Sequence, residues 1–130
     1  MTELLVKTKA KREVVDITDT VNELLDKEKT EDGLVHLFLT HTTAALATAD
    51  LDPGGTDQDY LDALEKMVPK LAYRHPHDPS HMPDHILSTL IGTALTMPVQ
   101  DGKLVLGTWQ RVALFEFDGP RERKIICQCI

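Results

Sequence analysis

Hydrophobic and polar positions recur with different periods along the chain, and each period predicts an element. Residues 3–17 are rich in Val, Leu, Ile and Thr and alternate in part, which favours one or two strands. The next stretch has the spacing of an amphipathic helix, whose first turn Thr18 or Asp19 would cap. Residues 34–40 are nearly all apolar and predict a strand that is buried on both faces.

A second amphipathic helix is predicted after a loop at residues 50–55, and it ends at Pro69. Its apolar stripe, which we expect in the core, comprises Leu61, Leu64, Met67 and Val68. A third, short helix opens near Pro83, because proline suits a first helical turn, and stops at Gly92. The rest of the chain is β in character, with strands predicted at residues 94–99, 103–108, 109–117 and 121–130.

The order of these elements indicates an α+β fold. Strand, helix, strand and two helices are followed by a run of strands joined by short turns, which is typical of an antiparallel sheet. We expect one domain over residues 1–130, a predominantly antiparallel β-sheet or sandwich with two to three helices packed on it. A sheet of this size leaves exposed edges, which chains often cover by oligomerising.

Composition and charge argue against some classes of function. The net charge of −7 argues against nucleic-acid binding, since that needs a basic surface to neutralise phosphates. A local basic pocket is still compatible with this charge, and the arginines that could supply it are Arg74, Arg111, Arg121 and Arg123. No apolar run is long enough to cross a bilayer, and the first residues lack the features of a signal peptide, so we expect a cytosolic protein. Cys127 and Cys129 share one face of a predicted strand, where small buried thiols are a simpler interpretation than a metal pair.

Residues 73–85 hold four of the chain's six histidines and are the first candidate for chemistry. Imidazole titrates near neutral pH and is the commonest metal ligand. Pro79 and Pro83 interrupt a continuous helix, so we predict a loop that ends at a helix N-terminus, with His85 in the first turn. Such a segment could hold a cation and a phosphate side by side. The alternative is a surface loop whose histidines have no task.

Two further segments carry candidate side chains. His41 lies at the end of the apolar strand, and Thr42 and Thr43 beside it would allow a substrate to approach closely. An ordinary strand end, with hydroxyl groups that satisfy the backbone, explains the same residues. Asp50 and Asp52 could bind a divalent cation or act as a base and its partner, although aspartate before Pro-Gly is also common turn chemistry.

Several motifs together resemble the YjbQ family (UPF0047), whose members are labelled secondary thiamine-phosphate synthases. They occur in the family's order and span nearly the whole chain, from about Val6 to Cys127. The Gly-Thr-Trp-Gln stretch and the spacing of His75 and His85 make the resemblance specific. The matching segments are His41–Leu46, Tyr73–His75, Met82–Ile86, Leu106–Gln110 and Asp118–Arg121.

The resemblance implies an antiparallel α+β fold assembled as a homotrimer. It also implies a transferase that joins the hydroxymethylpyrimidine group of a pyrophosphate to a thiazole phosphate and releases pyrophosphate. The chain departs from the family's Asn-Glu at Ala49-Asp50 and from its Asn at His81. The family's polar cluster corresponds here to His41, His75 and His85, with Trp109, Gln110 and Arg121 nearby.

These residues suggest a site for phosphate-ester chemistry. His41, His75 and His85 would hold a phosphate or a divalent metal, for which three imidazoles suit zinc better than magnesium. Asp50 would act as a base or outer-shell group, and Trp109 would stack on a heterocycle unless it is a core residue of the sheet. The residues expected to bind a small phosphorylated substrate are Thr42, Thr43, Arg74, Trp109, Gln110 and Arg121.

Two other functions would use the same histidines. One is a metal-dependent hydrolase of small phosphate esters, in which a metal-bound water attacks the ester. The other is a non-enzymatic, trimeric protein that binds a metal or a metabolite. The sequence ranks these functions only weakly, because function depends on the geometry of the site rather than on the fold.

Overall fold

The computed structural model describes all 130 residues of the chain. Eight strands and three α-helices follow one another along it, and a short 3₁₀ turn at Pro79–His81 precedes the last helix. The strands are β1 (Thr2–Lys7), β2 (Glu13–Asp16), β3 (Gly33–Leu39), β4 (Ala44–Ala49), β5 (Ala94–Gln100), β6 (Lys103–Leu104), β7 (Arg111–Glu116) and β8 (Glu122–Cys129). The helices are α1 (Thr18–Lys27), α2 (Thr56–Met67) and α3 (Met82–Ile91).

The strands form two sheets. One has five strands in the order β1-β8-β3-β5-β6, and the other has three strands in the order β2-β7-β4. All the strand pairs are antiparallel, and β3 is central in its sheet, with Leu37 between Leu95 and Cys127. The predicted α+β class, with mainly antiparallel β-structure and two to three helices, is therefore confirmed.

Two hydrophobic cores hold the layers together. The larger lies between the two sheets and includes one face of α1, where Val21 and Leu25 are fully buried. The smaller lies on the other side of the three-stranded sheet, against α2 and α3, and contains Leu61 and Leu87. Burial of one such side chain stabilises the fold by about 1.5–3 kcal/mol. β7 contributes to both cores, because its successive side chains point to opposite faces.

β3 is buried on one face only, so the expectation that residues 34–40 are buried on both faces is wrong. Val35 and Leu37 point into the larger core, whereas Leu34 and Phe38 are exposed on the outer face of the sheet. No helix or second sheet covers that face. The strand that is buried on both faces is β7, since it is the middle strand of the sheet that both cores cover.

The start of α1 also differs from the prediction, because neither Thr18 nor Asp19 is its cap. The N-cap residue is Ile17, and Oδ1 of Asp16 accepts the N–H of Thr18 at 3.0 Å. Oγ1 of Thr18 instead accepts the N–H of Val112 at 2.7 Å. The hydroxyl therefore joins the helix to β7. This hydrogen bond depends on tertiary packing, so local sequence could not predict it.

The other helix boundaries follow the residues that predicted them. α2 ends before Pro69, α3 begins next to Pro83, and Gly92, with a φ of 104°, follows its last residue. Met67 at the end of α2 is exposed, so its predicted place in the core is wrong. No helix in the structure is long and apolar enough to cross a membrane.

Two predictions for the C-terminal half need correction. The strand predicted at residues 103–108 is limited to Lys103–Leu104, because the chain then turns at Gly107, whose carbonyl oxygen accepts the N–H of Gln110. Of the two free cysteines, Cys127 is buried as expected, whereas Cys129 is exposed near the end of β8. Burial raises the pKa of the Cys127 thiol to about 11, so this thiol is a neutral core residue.

Candidate functional site

A polar cavity of about 630 Å³ lies where the loop after β3, the first turn of α3 and the turn before β8 meet. No hydrophobic side chain lines it, and its volume suits a small metabolite. We call it the His41 pocket. Its lining residues are Thr40, His41, Thr42, Thr43, His81, His85, Asp118, Arg121, Glu122 and Arg123.

His41 is fixed in this pocket by the backbone of β8. Its Nε2 accepts the N–H of Lys124 at 2.8 Å. A backbone amide can only donate, so the lone pair of Nε2 is occupied and the neutral ring carries its proton on Nδ1. Partial burial lowers the pKa of His41, and the positive charges of Arg123, Arg121 and Lys124 lower it further. His41 is therefore a neutral ring with one N–H donor, at Nδ1, left for a ligand.

His85, in the first turn of α3, has the opposite nitrogen free. Its Nδ1 is 3.0 Å from the carbonyl oxygen of Thr42. Because a carbonyl oxygen only accepts, Nδ1 carries a proton and donates it. Nε2 then has a lone pair in the neutral ring and a second N–H in the protonated ring. Nε2 is therefore the nitrogen of His85 that has no partner within the protein.

His75 stacks against His85 but does not line the pocket. The two ring centroids are 4.9 Å apart and the ring planes differ by 15°. Nδ1 of His75 accepts the N–H of Asp78 at 3.4 Å, which is a weak contact. The lone pair of an imidazole nitrogen lies in the plane of its ring, so two nearly parallel, stacked rings do not point at a common ion.

The three predicted imidazole ligands therefore do not form one metal site in this arrangement. His41 has no nitrogen with a free lone pair, and His75 faces His85 with its ring plane. No group of three or more His, Cys, Asp or Glu side chains is placed to hold a metal ion. A divalent cation, zinc or magnesium, stays a prediction from the sequence.

One lining residue of the pocket, Arg123, belongs to a buried ion pair. Arg123 of β8 and Glu116 of β7 are 2% and 0% exposed, and Nε of Arg123 donates to Oε2 of Glu116 at 2.7 Å. Nη2 of Arg123 also donates to O and Oγ1 of Thr43, at 3.2 and 2.9 Å. Burial raises the pKa of Glu116, and Arg123 offsets part of this effect. The pair joins both sheets to the loop that carries His41.

Asp118, at the rim of the pocket, contacts three basic side chains. It accepts from Nη2 of Arg121 at 3.0 Å and from Nζ of Lys11 at 3.4 Å, and its Oδ2 is 3.8 Å from Nδ1 of His81. Burial raises the pKa of Asp118, but these partners outweigh burial and the pKa is lowered. Arg121 is 53% exposed, so its guanidinium can exchange Asp118 for an anion in the pocket.

The structure brings together part of the predicted site. The residues of that prediction that line the pocket are His41, Thr42, Thr43, His85 and Arg121. His75 contacts the pocket only through its stacking on His85. The histidine segment and the strand end after β3, which are far apart along the chain, therefore do meet.

The other predicted residues lie elsewhere. Oδ1 of Asp50 accepts the N–H of Asp52 at 3.0 Å. Asp50 therefore has the turn role that was the alternative to binding a cation or acting as a base. Oε1 of Gln110 accepts the N–H of Gly107 at 2.8 Å. Trp109 is 68% exposed, so it is neither a core residue nor a wall of the pocket, and Arg74 is exposed as well.

Glu116 and Asp118 were not predicted as site residues, and Arg123 was predicted only as one of four arginines that could supply a local basic pocket. A signal for Arg123 and Glu116 exists in the strand pattern, because Arg123 continues the buried alternation of β8 and Glu116 directly follows the four buried residues 112–115 of β7. An acid and a base that each occupy an inward position predict a buried pair. Asp118 has no such signal, since it lies in a turn that only the folded chain brings to Lys11 and His81.

Comparisons with known proteins identify relatives over the full length. The sequence matches the family described as UPF0047 protein YjbQ-like over residues 2–130. A UPF0047 protein of Archaeoglobus fulgidus is 40% identical over 129 residues, 98% of this chain and 99% of its own. A UPF0047 protein of Mycobacterium tuberculosis is 36% identical over 124 residues, 92% of this chain and 91% of its own.

Solved structures give the same result. A YbjQ-like protein of unknown function from Sulfolobus solfataricus superposes with a TM-score of 0.89 at 33% identity, over 98% of this chain and 94% of its own. A hypothetical protein from Aeropyrum pernix superposes with a TM-score of 0.90 at 32% identity, over 99% of this chain and 96% of its own.

These relatives overturn the thiamine-phosphate synthase activity that the resemblance implied. They are named only as UPF0047 proteins, as a hypothetical protein or as a protein of unknown function, so the transferase expectation was wrong and the hydrolase alternative gains no support. Trp109, the expected stacking partner of a heterocycle, is also outside the pocket. What the matches establish over nearly the whole length is that the chain belongs to the YjbQ-like family, UPF0047.

Proposed function

We propose that the His41 pocket binds a small phosphorylated metabolite whose remaining part is rich in hydroxyl groups. The observation that carries this proposal is the hydrogen bond from the N–H of Lys124 to Nε2 of His41, which leaves Nδ1 as a donor. A ring held in this state cannot accept through Nδ1, so it favours a ligand atom that only accepts, such as a phosphate oxygen.

Two further groups extend the donor set. The guanidinium of Arg121 suits the bidentate geometry of a phosphate, and it is exposed enough to leave Asp118. Nε2 of His85 adds a charged N–H when the ring is protonated, and the first turn of α3 adds the positive end of the helix dipole. These donors come from three separate segments of the chain and line the same cavity.

The lining also limits the organic part of the ligand. Because no hydrophobic side chain lines the pocket, an aliphatic or aromatic body would gain little from entering it. Carboxylates of Asp118 and Glu122 and the hydroxyl of Thr42 suit hydroxyl groups instead. Lys11 contacts Asp118 at 3.4 Å and offsets part of the repulsion between this carboxylate and an anion, also when Arg121 binds the anion.

Calorimetric titration with ribose 5-phosphate, ribose and inorganic phosphate tests this proposal. We expect ribose 5-phosphate to bind more tightly than either fragment, and His85→Ala or Arg121→Gln to weaken its binding about tenfold through loss of a hydrogen bond to the ligand. His36→Ala is the matched control, since the ring of His36 contacts Thr96 outside the pocket, at 2.8 Å. Equal binding of ribose and ribose 5-phosphate, or an equal loss in the control, would overturn it.

A homotrimer is the second part of the proposal. Leu5, Leu34 and Phe38 are 52%, 42% and 45% exposed on the outer face of the five-stranded sheet, which no other element covers. Exposed large apolar side chains on one face are typical of a surface that another protein covers. Light scattering should give the trimer mass for the natural chain and a smaller mass for Phe38→Lys. A monomer at micromolar concentration for the natural chain would refute this part.

A further inference from the structure

Asp118 and Arg121 are joined by two hydrogen bonds within the turn before β8. Nε of Arg121 donates to the carbonyl oxygen of Asp118 at 2.8 Å, and Nη2 donates to Oδ2 of the same residue at 3.0 Å. Nε and Nη2 form one of the two edges with which a guanidinium binds two oxygen atoms of a phosphate. Asp118 therefore occupies an edge of Arg121 that a phosphate would use for a two-point contact.

Asp118 has a second permanent cation beside it. Nζ of Lys11 is 3.4 Å from Oδ1, the carboxylate oxygen that Arg121 does not contact. The side chain of Asp118 is 13% exposed, whereas those of Lys11 and Arg121 are 56% and 53% exposed. The carboxylate is thus enclosed, while both cations can move in solvent. If Arg121 turned to a ligand, Asp118 would still have a charged partner.

Lys11 is held near Asp118 by other groups and does not line the His41 pocket. Its Nζ lies 3.4 Å from the carbonyl oxygen of Phe117 and 3.5 Å from Oδ2 of Asp84. The other carboxylate oxygen of Asp84 accepts from Arg12 at 3.1 Å. Asp84 therefore keeps a cation when Lys11 moves towards Asp118, so the ion pairs can rearrange without leaving a buried carboxylate unpaired.

We propose that Asp118 is an internal competitor of the ligand for Arg121, and that Lys11 takes over its carboxylate when a phosphate binds. The proposal rests on the phosphorylated ligand proposed above for the His41 pocket. Release of Arg121 costs one ion pair, and the carboxylate that stays behind repels the phosphate, so both effects reduce affinity. Lys11 reduces this cost and is a positioning residue, because it acts on the ligand through Asp118.

Calorimetric titration of two single variants with ribose 5-phosphate tests both roles. Asp118→Asn keeps the size of the side chain and removes its charge, so we expect binding about three- to tenfold tighter than in the natural chain. Lys11→Met should weaken binding by a similar factor, because the carboxylate then has Arg121 as its only permanent cation. Asp19→Asn is the matched control, since Asp19 pairs with Arg111 at 3.4 Å outside the pocket, and it should change the affinity less than about twofold.

Two double variants show whether these effects pass through the proposed contacts. The gain from Asp118→Asn should disappear when Arg121→Gln is also present, because no guanidinium is left to release. The loss from Lys11→Met should disappear when Asp118→Asn is also present, since Lys11 then has no carboxylate to take over. A general change in the charge of the pocket predicts effects of the same size in every background, and that result would overturn the proposal.

Failure of the competitor role differs from failure of the proposed ligand. If the natural chain prefers ribose 5-phosphate to ribose and Asp118→Asn binds it no more tightly, only the competitor role fails. If neither protein prefers ribose 5-phosphate to ribose, both proposals fail. Lys11 is 56% exposed, so Lys11→Met should fold even if Asp118→Asn does not, and an unchanged affinity in Lys11→Met would then overturn the proposal.

Discussion

Nε of Arg123 lies 2.7 Å from Oε2 of Glu116, and neither side chain is more than 2% exposed. The two residues belong to different sheets, so the pair bridges the sandwich at the end of its larger core. Oγ1 of Thr8 donates to Oε1 of Glu116 at 3.2 Å, and Thr43 accepts from Arg123. Because these polar partners satisfy both charged groups, the network can fix the loop of His41 in one position.

Removal of one charge from this pair should destabilise the fold strongly. Arg123→Met leaves Glu116 buried without its cation, so we expect the free energy of unfolding to fall by about 3–5 kcal/mol. Arg121→Met breaks a half-exposed pair with Asp118 and is the matched control, with an expected loss below about 1 kcal/mol. Urea denaturation measures both.

The double variant Arg123→Met/Glu116→Leu separates the pair from its burial cost. Replacement of a buried pair by apolar groups can be neutral, so the double variant should be more stable than Arg123→Met alone. If Arg123→Met loses no more stability than Arg121→Met, the pair does not anchor the two sheets.

His41 should make the stability depend on pH below its ordinary pKa. Burial and the neighbouring cations lower the pKa of His41 in the folded state from the reference value of 6.5, so below that pH the unfolded chain binds the proton more readily. The stability that neutral His41 contributes is therefore complete above pH 6.5 and is lost as pH falls through the lowered pKa. The measurement is the difference in free energy of unfolding between the natural chain and His41→Gln at several pH values.

This difference isolates His41, because the five other histidines are present in both proteins. It should favour the natural chain less as the solution becomes more acidic. Ring nitrogen shifts should also place the proton of neutral His41 on Nδ1, as its acceptance of the Lys124 N–H requires. A flat pH dependence, or a proton on Nε2, would contradict the geometry of this ring.

The order and type of most elements could be predicted from the sequence, because prolines and glycines mark their ends. β4 could not, since four of the six residues in Ala44–Ala49 are Ala, which is depleted in strands, and the segment becomes a strand by pairing with β7. The prediction that β3 is buried on both faces was wrong for a related reason. An apolar run shows that a segment can be buried, but a tertiary layer must be present to cover its second face.

The proximity of His41 and His85 could be predicted as well, because both lie in segments rich in residue types that are common in binding and catalytic sites. The state of their rings could not. The backbone N–H of Lys124 and the carbonyl of Thr42 decide which nitrogen is free in each ring, and only the packed sheets place these groups. Asp50 and Trp109 show the opposite error, since their residue types suggest chemistry while their positions serve a turn and the surface.

Removal of metal ions should leave phosphate binding unchanged. The donors proposed for the phosphate are protein groups, His41, His85 and Arg121, and two of the predicted imidazole ligands face each other in parallel. We expect the affinity for ribose 5-phosphate to be equal before and after dialysis against EDTA. Loss of binding on dialysis, with recovery on addition of Zn²⁺ but not of Mg²⁺, would instead support the zinc site predicted from the sequence.

Gly119→Ala should damage both the fold and the pocket. A Cβ at Gly119 would clash with the backbone oxygen of Ala10 and would lie 2.7 Å from Oε1 of Glu116. Neither atom can move away easily, because one belongs to the backbone and the other is held by Arg123. We therefore expect a loss of about 1–3 kcal/mol or more in the free energy of unfolding.

Gly107→Ala is the matched control for this substitution. The nearest atom to its added Cβ is Oε1 of Gln110, at 3.2 Å, on an exposed side chain that can move. Its change in the free energy of unfolding should stay within about 0.5 kcal/mol.

Gly119→Ala should also weaken ribose 5-phosphate binding at temperatures where the variant is folded, because its new methyl group would displace Glu116. Equal stability of the two variants would show that the turn at residues 118–120 adapts without strain and that Glu116 is less tightly held than its contacts indicate.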